Sequence, residues 1–396
     1  MPEMNETAVA RSLTVRHRGR GKQVWIYLGK MLRMFVYQND WKVLPMAALI
    51  AGLVGMVVRG MQFVSMEGTL MGSFALVMVC IWNGSFNSIQ VICRERDVIK
   101  REHRSGMHIS SYIFSHMLYQ AMLCLLQTGV TLYILKIVGV KFPPQGLFSR
   151  WLIVDFGITM FLITYASDML SLWVSCLART TTAAMTIMPF VLIFQLVFSG
   201  GMLSLPEWSK SLSGLTISSP GLKAIVAQSD YNASPMVTIW NRLFAMWDKE
   251  LSVTVTLGQA IDLLQDEQNP TVANLRSKKL SEVLESVDPG LPALFDFKDD
   301  DTVGKVIDSL AAEPDVQASR EESYTVNATV GEIINTVGYD RVRNYLLYDI
   351  RDNNLSTDYE NSRSNVAGYW ADLILMIFVF AAFSTVTLEF IDKDKR

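Results

Sequence analysis

The residues with the greatest potential for chemistry lie in one polar stretch, Cys93–Tyr112. Eight charged side chains of both signs occur within Arg94–Arg104, and Gly106 can end a helix there. Such a helix offers ion pairs and hydrogen bonds to a protein surface, rather than groups that make or break bonds. The stretch therefore predicts recognition of a partner protein.

Sequence signatures of catalysis are missing. The chain has no Gly-x-x-x-x-Gly-Lys-Ser/Thr, no His-Glu-x-x-His and no Gly-x-Ser-x-Gly, and its four histidines lack metal-ligand spacing. Asp299-Asp-Asp301 lacks the spacing of a calcium loop and is typical of acidic residues at a helix N-terminus. We expect no catalytic residue and no bound cofactor, metal or nucleic acid.

The composition indicates a membrane protein, because 50% of the 396 residues are hydrophobic and only 18% are charged. About 20 apolar residues are needed to cross a bilayer as a helix. Six stretches reach that length and predict spans: Met46–Phe63, Gly68–Ile92, Ser111–Val140, Trp151–Leu177, Ala183–Leu203 and Gly368–Phe390. The polar N-terminus contains no short apolar region typical of a signal peptide.

Charge asymmetry predicts the orientation. Residues 229–366 contain 24 acidic and 12 basic side chains. Of the Lys and Arg residues near the spans, 17 lie on the side of the two termini and 6 on the other side. Since positive charge favours the cytoplasm, we expect a plasma-membrane protein with both termini cytoplasmic and 229–366 outside. The absence of cysteine from 229–366 favours a bacterial source.

Two segments flanking the spans have amphipathic patterns. Trp25, Leu28, Leu32 and Phe35 predict an interfacial connecting helix within residues 1–43, the alternative being a helix packed on a soluble partner. After the fifth span, 204–228 contains two semi-apolar pieces opened by prolines, which fit either short re-entrant helices or a plain loop.

Residues 229–366 contain an internal repeat. Segments beginning at Thr256, Thr302 and Thr329 share a threonine that can cap a helix, followed by apolar residues on one helical face. Leu280–Val287 is a fourth candidate helix. The predicted fold is an all-α membrane protein with four parts. Residues 1–43 contain the N-terminus and the connecting helix, and 44–228 contain spans one to five and the charged helix 94–106. The helical outer domain comprises 229–366, and the last span with its tail comprises 367–396.

Two motifs resemble the White/ABCG branch of ATP-binding cassette exporters. The first is a Glu-Arg-x-x-x-x-x-Glu-x-x-x-Gly pattern followed by Ser-Ser-Tyr, and the second surrounds the end of span five. Their matching residues are Glu95, Arg96, Glu102, Gly106 and Ser110–Tyr112, then Phe198–Gly200, Leu205, Pro206, Trp208, Ser219, Pro220, Ala227 and Gln228. The resemblance covers about 1–228 and 368–396, whereas 229–366 is much longer than the insertion usual in that family.

The resemblance implies the permease subunit of an exporter, working as a homodimer or heterodimer with a separate ATP-binding cassette subunit that holds ATP and Mg. It implies three sets of site residues. Residues for coupling to the ATPase are Glu95, Arg96, Arg101, Glu102, Arg104 and Gly106; those for the substrate pathway are Val79, Asn83, Phe86, Asn87, Pro189, Ile193 and Leu196; those for the outer valve are Gly201, Met202 and Leu203. The expected substrate is hydrophobic or amphipathic.

The residues leave two questions open. Polar groups such as Asn83 and Asn87 on span two should face protein or a cavity rather than lipid, so they either line a path or hold helices together. Asp155 is expected near the outer interface, and Asp168 is expected in a buried pair or a proton site. The alternative function is a membrane-anchored surface or sensor protein whose outer domain binds a partner.

Overall fold

The computed structural model describes residues 19–37, 40–201, 211–267, 270–287, 300–353 and 355–390. They form two compact units, one running to Met236 and resuming at Arg351, and the other comprising Val237–Ile350. The helices of the first unit are α1 Arg20–Tyr37, α2 Val43–Val58, α3 Met66–Ser88, α4 Val91–Arg104, α5 Ile109–Val138, α6 Leu152–Leu177, α7 Thr181–Val197, α8 Ser218–Gln228 and, at the C-terminal end, α17 Arg363–Glu389.

Five helical segments among the described residues are long and apolar enough to cross a membrane. They are Asp40–Val58, Met66–Arg104, Ile109–Val138, Leu152–Leu177 and Arg363–Glu389. The segment predicted as span five forms α7, an apolar helix of 17 residues with Pro189 inside it. The chain is therefore a multi-pass membrane protein, and its described residues contain five such segments and one shorter apolar helix.

The core of the first unit is the contact between α3 and α6, which the sequence permits through one glycine. A Cβ atom added to Gly84 would overlap the carbonyl oxygen of Thr164. The two helices therefore approach closely, and small polar residues connect them. The hydroxyls of Ser85 and Ser167 lie 2.8 Å apart, and Ser167 Oγ donates to Ile81 O at 2.8 Å.

Helix α1 packs on α5, so the helix that covers its inner face belongs to the same chain. Leu28 and Met31 are buried, whereas Trp25 is 71% exposed and Leu32 39% exposed. The predicted apolar stripe is thus divided between a buried side and an exposed side. The exposed aromatic and aliphatic residues fit an interfacial position.

Helix α8 lies inside the first unit. All its residues except Lys223 are buried, and Gly221 lies close to Ile163 of α6. Gln195 of α7 accepts hydrogen bonds from the backbone N–H groups of Ile217 and Ser218 at 2.9 and 3.1 Å. The second of the two predicted re-entrant pieces is therefore a packed helix, whereas residues 204–210, which begin the first piece, lie outside the described residues.

The second unit is a small α/β unit, so the prediction of an all-α outer domain was wrong. Its elements are α9 Thr238–Ala245, β1 Glu250–Thr256, α10 Leu257–Gln265, α11 Pro270–Ser277, α12 Leu280–Val287, α13 Val303–Ala312, α14 Pro314–Ala318, β2 Ser323–Thr329, α15 Val330–Val337 and α16 Tyr339–Asn344, followed by the π-helical turn Tyr345–Asp349. Strands β1 and β2 pair antiparallel, with Val253 opposite Val326. A strand was missed before each of two repeats.

The three repeat threonines lie at the N-caps of α10, α13 and α15. Thr256 and Thr329 form capping boxes with Gln259 and Glu332, whereas Thr302 makes no side-chain cap hydrogen bond. Each helix begins where the repeat places it, because the capping signal is local.

The helix starts dock in reciprocal pairs. Leu257 N donates to Glu322 O at 2.9 Å, and Val330 N donates to Lys249 O at 3.1 Å, which closes both ends of the β1–β2 ribbon. A second pair is formed by Leu280 N with Asp301 O and by Val303 N with Lys278 O, both at 3.0 Å. The sequence repeat therefore corresponds to a repeated way of docking a helix start.

The repeat also specifies an ion pair. Arg276 lies against Gly304 of α13 and binds Asp308 at 2.7 Å, and Arg320 lies against Gly258 of α10 and binds Asp262. The hydrogen bond and positive charge of Arg276 lower the pKa of the Asp308 carboxyl. Two repeats thus use the same glycine, arginine and aspartate arrangement.

Candidate functional site

The charged helix α4 has two different sides. Ile92, Cys93 and Ile99 are buried against the rest of the first unit. Arg94, Asp97, Arg101 and Arg104 recur at a spacing of three to four residues and are exposed on the other side. Three apolar residues among many charges thus suffice to anchor α4 to its own chain.

Two of the predicted coupling carboxylates pair with α1. Lys30 Nζ lies 3.5 Å from Glu95 and 3.7 Å from Glu102, and the Glu95 side chain is only 17% exposed. These contacts take both carboxylates away from the exposed side of α4. Lys30 joins α1 to α4, a role that the sequence did not indicate.

Arg96 binds the end of α6. Its Nη1 donates to Cys176 O at 3.1 Å and to Ala178 O at 3.0 Å. The last carbonyls of a helix lack intrahelical partners and carry partial negative charge, so a guanidinium there is favourable. Ser175 Oγ also accepts from the backbone N–H of Ile92 at 3.1 Å. Arg96 therefore points into its own chain, whereas Arg101 and Arg104 are exposed.

Gly106 ends the charged segment with a backbone φ of +101°, the left-handed region that favours glycine. Gln23 of α1 holds this turn, donating to Gly106 O at 3.2 Å and accepting from the N–H of His108 at 2.9 Å. Burial and the nearby Glu102 raise the pKa of Tyr27 on the same side of α1. Helices α1 and α4 and the start of α5 thus form one connected joint.

The predicted pathway residues are divided between the interior and the surface. Val79 and Asn83 are buried inside the chain, whereas Phe86 on α3 and Pro189, Ile193 and Leu196 on α7 are exposed. Trp82, one turn before Phe86, is also exposed and was not predicted. The structure therefore leaves apolar and aromatic side chains exposed on both α3 and α7, whereas Val79 and Asn83 are inside.

Asn87 joins two helices and also borders a cavity. Its amide exchanges two hydrogen bonds with Gln127 of α5, at 2.8 and 3.0 Å. It also lines a cavity of about 240 Å³ together with Phe86, Gln120 and Met185. Polar side chains of both α3 and α5 therefore line this end of span two.

Asp168 belongs to a buried polar chain that crosses three helices. Ser88 Oγ donates to Asp168 Oδ1 at 2.7 Å, and Gln120 Nε2 donates to Ser88 Oγ at 2.8 Å. Asp168 Oδ2 has no hydrogen-bond partner among the residues that the structure describes. Ser88 and Gln120, which the sequence analysis missed, join α3 and α5 to α6 at this point.

At the other end of the spans, Asp155 is buried and accepts hydrogen bonds from the N–H groups of Phe148 and Ser149 at 2.8 and 3.0 Å. It fixes the loop before α6. Gly201 lies against Leu222 of α8 and Phe74 of α3. The other two predicted valve residues, Met202 and Leu203, lie outside the described residues.

These features define a multi-pass membrane protein with a charged helix braced between its second and third spans. Residues 22–227 match the model of the ABC-2 type transporter family, and the chain belongs to that family. The predicted ABC-2 type membrane subunit is thereby confirmed, and the matching region is a permease domain.

One relative is the ABC transporter ATP-binding/permease protein Rv1747 of Mycobacterium tuberculosis (strain ATCC 25618 / H37Rv). It is 25% identical over 191 residues, which cover 45% of this chain and 22% of the relative. The aligned region is thus about a fifth of the relative's length. The name of the relative describes it as both an ATP-binding and a permease protein.

Proposed function

We propose that this chain is the permease subunit of an ABC-2 type exporter. A separate ATP-binding cassette subunit binds ATP and Mg and docks on the exposed side of α4. A pair of permeases, identical or different, moves a hydrophobic or amphipathic substrate outward across the plasma membrane. Both termini lie in the cytoplasm and residues 229–366 outside, as the distribution of Lys and Arg favours.

The observation that carries this proposal is the division of α4 into two sides. Its exposed side presents Arg94, Asp97, Arg101 and Arg104 to a partner. Its inner side is fixed to α1 through Lys30 and to the end of α6 through Arg96. A displacement of the exposed side of α4 by the partner would therefore move α1 and α6 as well, because α4 is fixed to both helices.

The substrate class is supported by the surfaces of α3 and α7. Phe86 and Ile193 are exposed to 50% and 57%, and Phe86 also borders the cavity that contains the amide of Asn87. An apolar wall with a few polar groups suits an amphipathic molecule. Between two permeases, this wall would face the substrate path.

Binding of the ATPase subunit tests the proposal. Truncating one member of a buried interfacial charge pair weakens binding by about 2–5 kcal/mol, which is roughly 30-fold or more in Kd. We expect Arg101→Glu to abolish co-purification with the ATPase from the native membrane and to abolish ATPase-driven transport. Lys136→Glu is the matched control, since Lys136 is an exposed cation at the far end of α5.

Normal co-purification and transport by Arg101→Glu would remove α4 as the docking site. Recovery of the wild-type chain without any ATP-binding protein, or ATP hydrolysis by the purified chain alone, would remove the proposal of a separate ATPase.

A further inference from the structure

The β1–β2 ribbon of the second unit has one apolar face that is largely exposed. Directly opposite residues point to the same side of an antiparallel ribbon. On one side all six are apolar: Leu251, Val253, Val255, Tyr324, Val326 and Ala328. Val253, Tyr324 and Val326 are 49%, 50% and 53% exposed.

The other face of the ribbon is polar and internally satisfied. Ser252 Oγ donates to Asn327 Oδ1 at 2.7 Å, and the hydroxyls of Thr254 and Thr325 lie 3.3 Å apart. The two faces are therefore distinct, and the hydrogen-bonded register fixes which one is apolar. A two-stranded ribbon is marginally stable in water unless a further layer covers it.

The charge distribution indicates which molecule covers the apolar face of the ribbon. Residues 237–350 contain 20 acidic and 10 basic side chains, but Glu250 is the only charged residue in the two strands. A cationic ligand would be drawn to the acidic surfaces instead. A second copy of this acidic unit, however, meets the least repulsion where the surface is neutral.

The area of the face decides when such a contact can form. Seven residues at about 3.3 Å each, across two strands that each take up about 4.8 Å, give roughly 220 Å² for each copy. A stable independent interface buries about 800 Å² for each partner, so the ribbon cannot hold two free units together. Two permeases in one transporter raise the effective concentration of one ribbon near the other to the order of mM.

We propose that the apolar face of the ribbon packs on the same face of a second copy of this chain, and that this contact joins the outer units of a permease pair. The proposal rests on the proposed function only in requiring that two copies assemble. Val253 and Val326 lie at the centre of the contact, because they are opposite each other in the middle of the ribbon.

Cysteine cross-linking in the full-length protein tests this contact. The four native cysteines are buried, so they give a low background. Single variants Val253→Cys and Val326→Cys are treated in membranes with a short bis-maleimide, and Ser252→Cys and Asn327→Cys serve as matched controls on the polar face. Facing side chains of stacked sheets meet across about 10 Å, whereas the outer faces are separated by both ribbons.

We expect a covalent dimer from the two valine variants and none from the controls. Co-purification of two differently tagged copies is measured in parallel. If the copies co-purify but the valine variants do not cross-link, or if all four variants cross-link equally, the ribbon contact is refuted. If the copies do not co-purify, the second-copy proposal fails, while binding of the ATPase subunit still tests the proposed function separately.

Discussion

Replacing Arg96 by alanine tests whether α4 is fastened to the end of α6. Two hydrogen bonds from its Nη1, to Cys176 O and Ala178 O, would be lost. A hydrogen bond to a charged group contributes about 1.5–3 kcal/mol. Since Arg96 is only partly buried, we take the lower value, which gives a loss of about 3 kcal/mol for the two bonds.

The thermal midpoint of the purified protein in detergent measures this loss. A unit of this size changes its midpoint by about 2 °C for each kcal/mol, so we expect Arg96→Ala to lower it by about 6 °C. Arg101→Ala is the matched control because it removes the same side chain from the exposed side of the same helix. Surface substitutions stay within about 0.5 kcal/mol, so its shift should be about 1 °C.

Two further measurements separate anchoring from general damage. Arg96→Lys keeps the charge but lacks the planar donor group, so its midpoint should fall between those of the wild type and Arg96→Ala. Arg96→Ala should retain the ATPase partner but lose stimulated transport, whereas Arg101→Glu should lose the partner itself. An Arg96→Ala midpoint equal to that of Arg101→Ala would show that the guanidinium does not hold α6, and the proposed transmission through Arg96 would be wrong.

Two other perturbations follow from the packing. Gly84→Val should prevent accumulation of folded protein in the membrane, because its Cβ would overlap the α6 backbone. Gly129→Val should accumulate normally, because a Cβ added at Gly129 meets no atom within 4 Å; equal yields would contradict the α3–α6 contact. The lowered pKa of Asp308 means that its pairing with Arg276 stabilises the second unit above the ordinary aspartate pKa of about 3.9 and is lost as the pH falls below it. Acid-dependent loss of helical circular dichroism should be weaker in Asp308→Asn, and an unchanged acid profile would show that this pair contributes nothing.

Local signals allowed several features to be predicted from the sequence. The repeat threonines Thr256, Thr302 and Thr329 lie at helix N-caps, and Thr256 and Thr329 form capping boxes, because a cap depends only on the next three or four residues. Long apolar runs likewise located the five long apolar helices of the described residues, since a helix crossing lipid must satisfy its own backbone. These features require no knowledge of distant contacts.

The strands were missed although their pattern is present. Leu251, Val253 and Val255 alternate with polar residues, as do Tyr324, Val326 and Ala328, and both runs are rich in β-branched residues. The helical repeats that follow dominated the interpretation. A strand also needs a partner, and here the partners lie about seventy residues apart in the chain, a distance over which periodicity gives no information.

The charged residues of α4 show a similar limit of prediction from sequence at the candidate site. Arg96 and Arg101 are five residues apart, and at about 100° for each residue they project roughly 140° apart around the helix. The sequence places them on different sides but does not say which side is inner. The contacts of α4 identify the inner side. Ile92 and Ile99 are buried on the side that carries Arg96, whereas Arg101 is exposed. Under the proposed function, α4 would need both sides to transmit force between two proteins, one side to dock the partner and one to hold its own chain. The inner arginine Arg96 and the outer arginine Arg101 would then have complementary roles rather than repeat one contact.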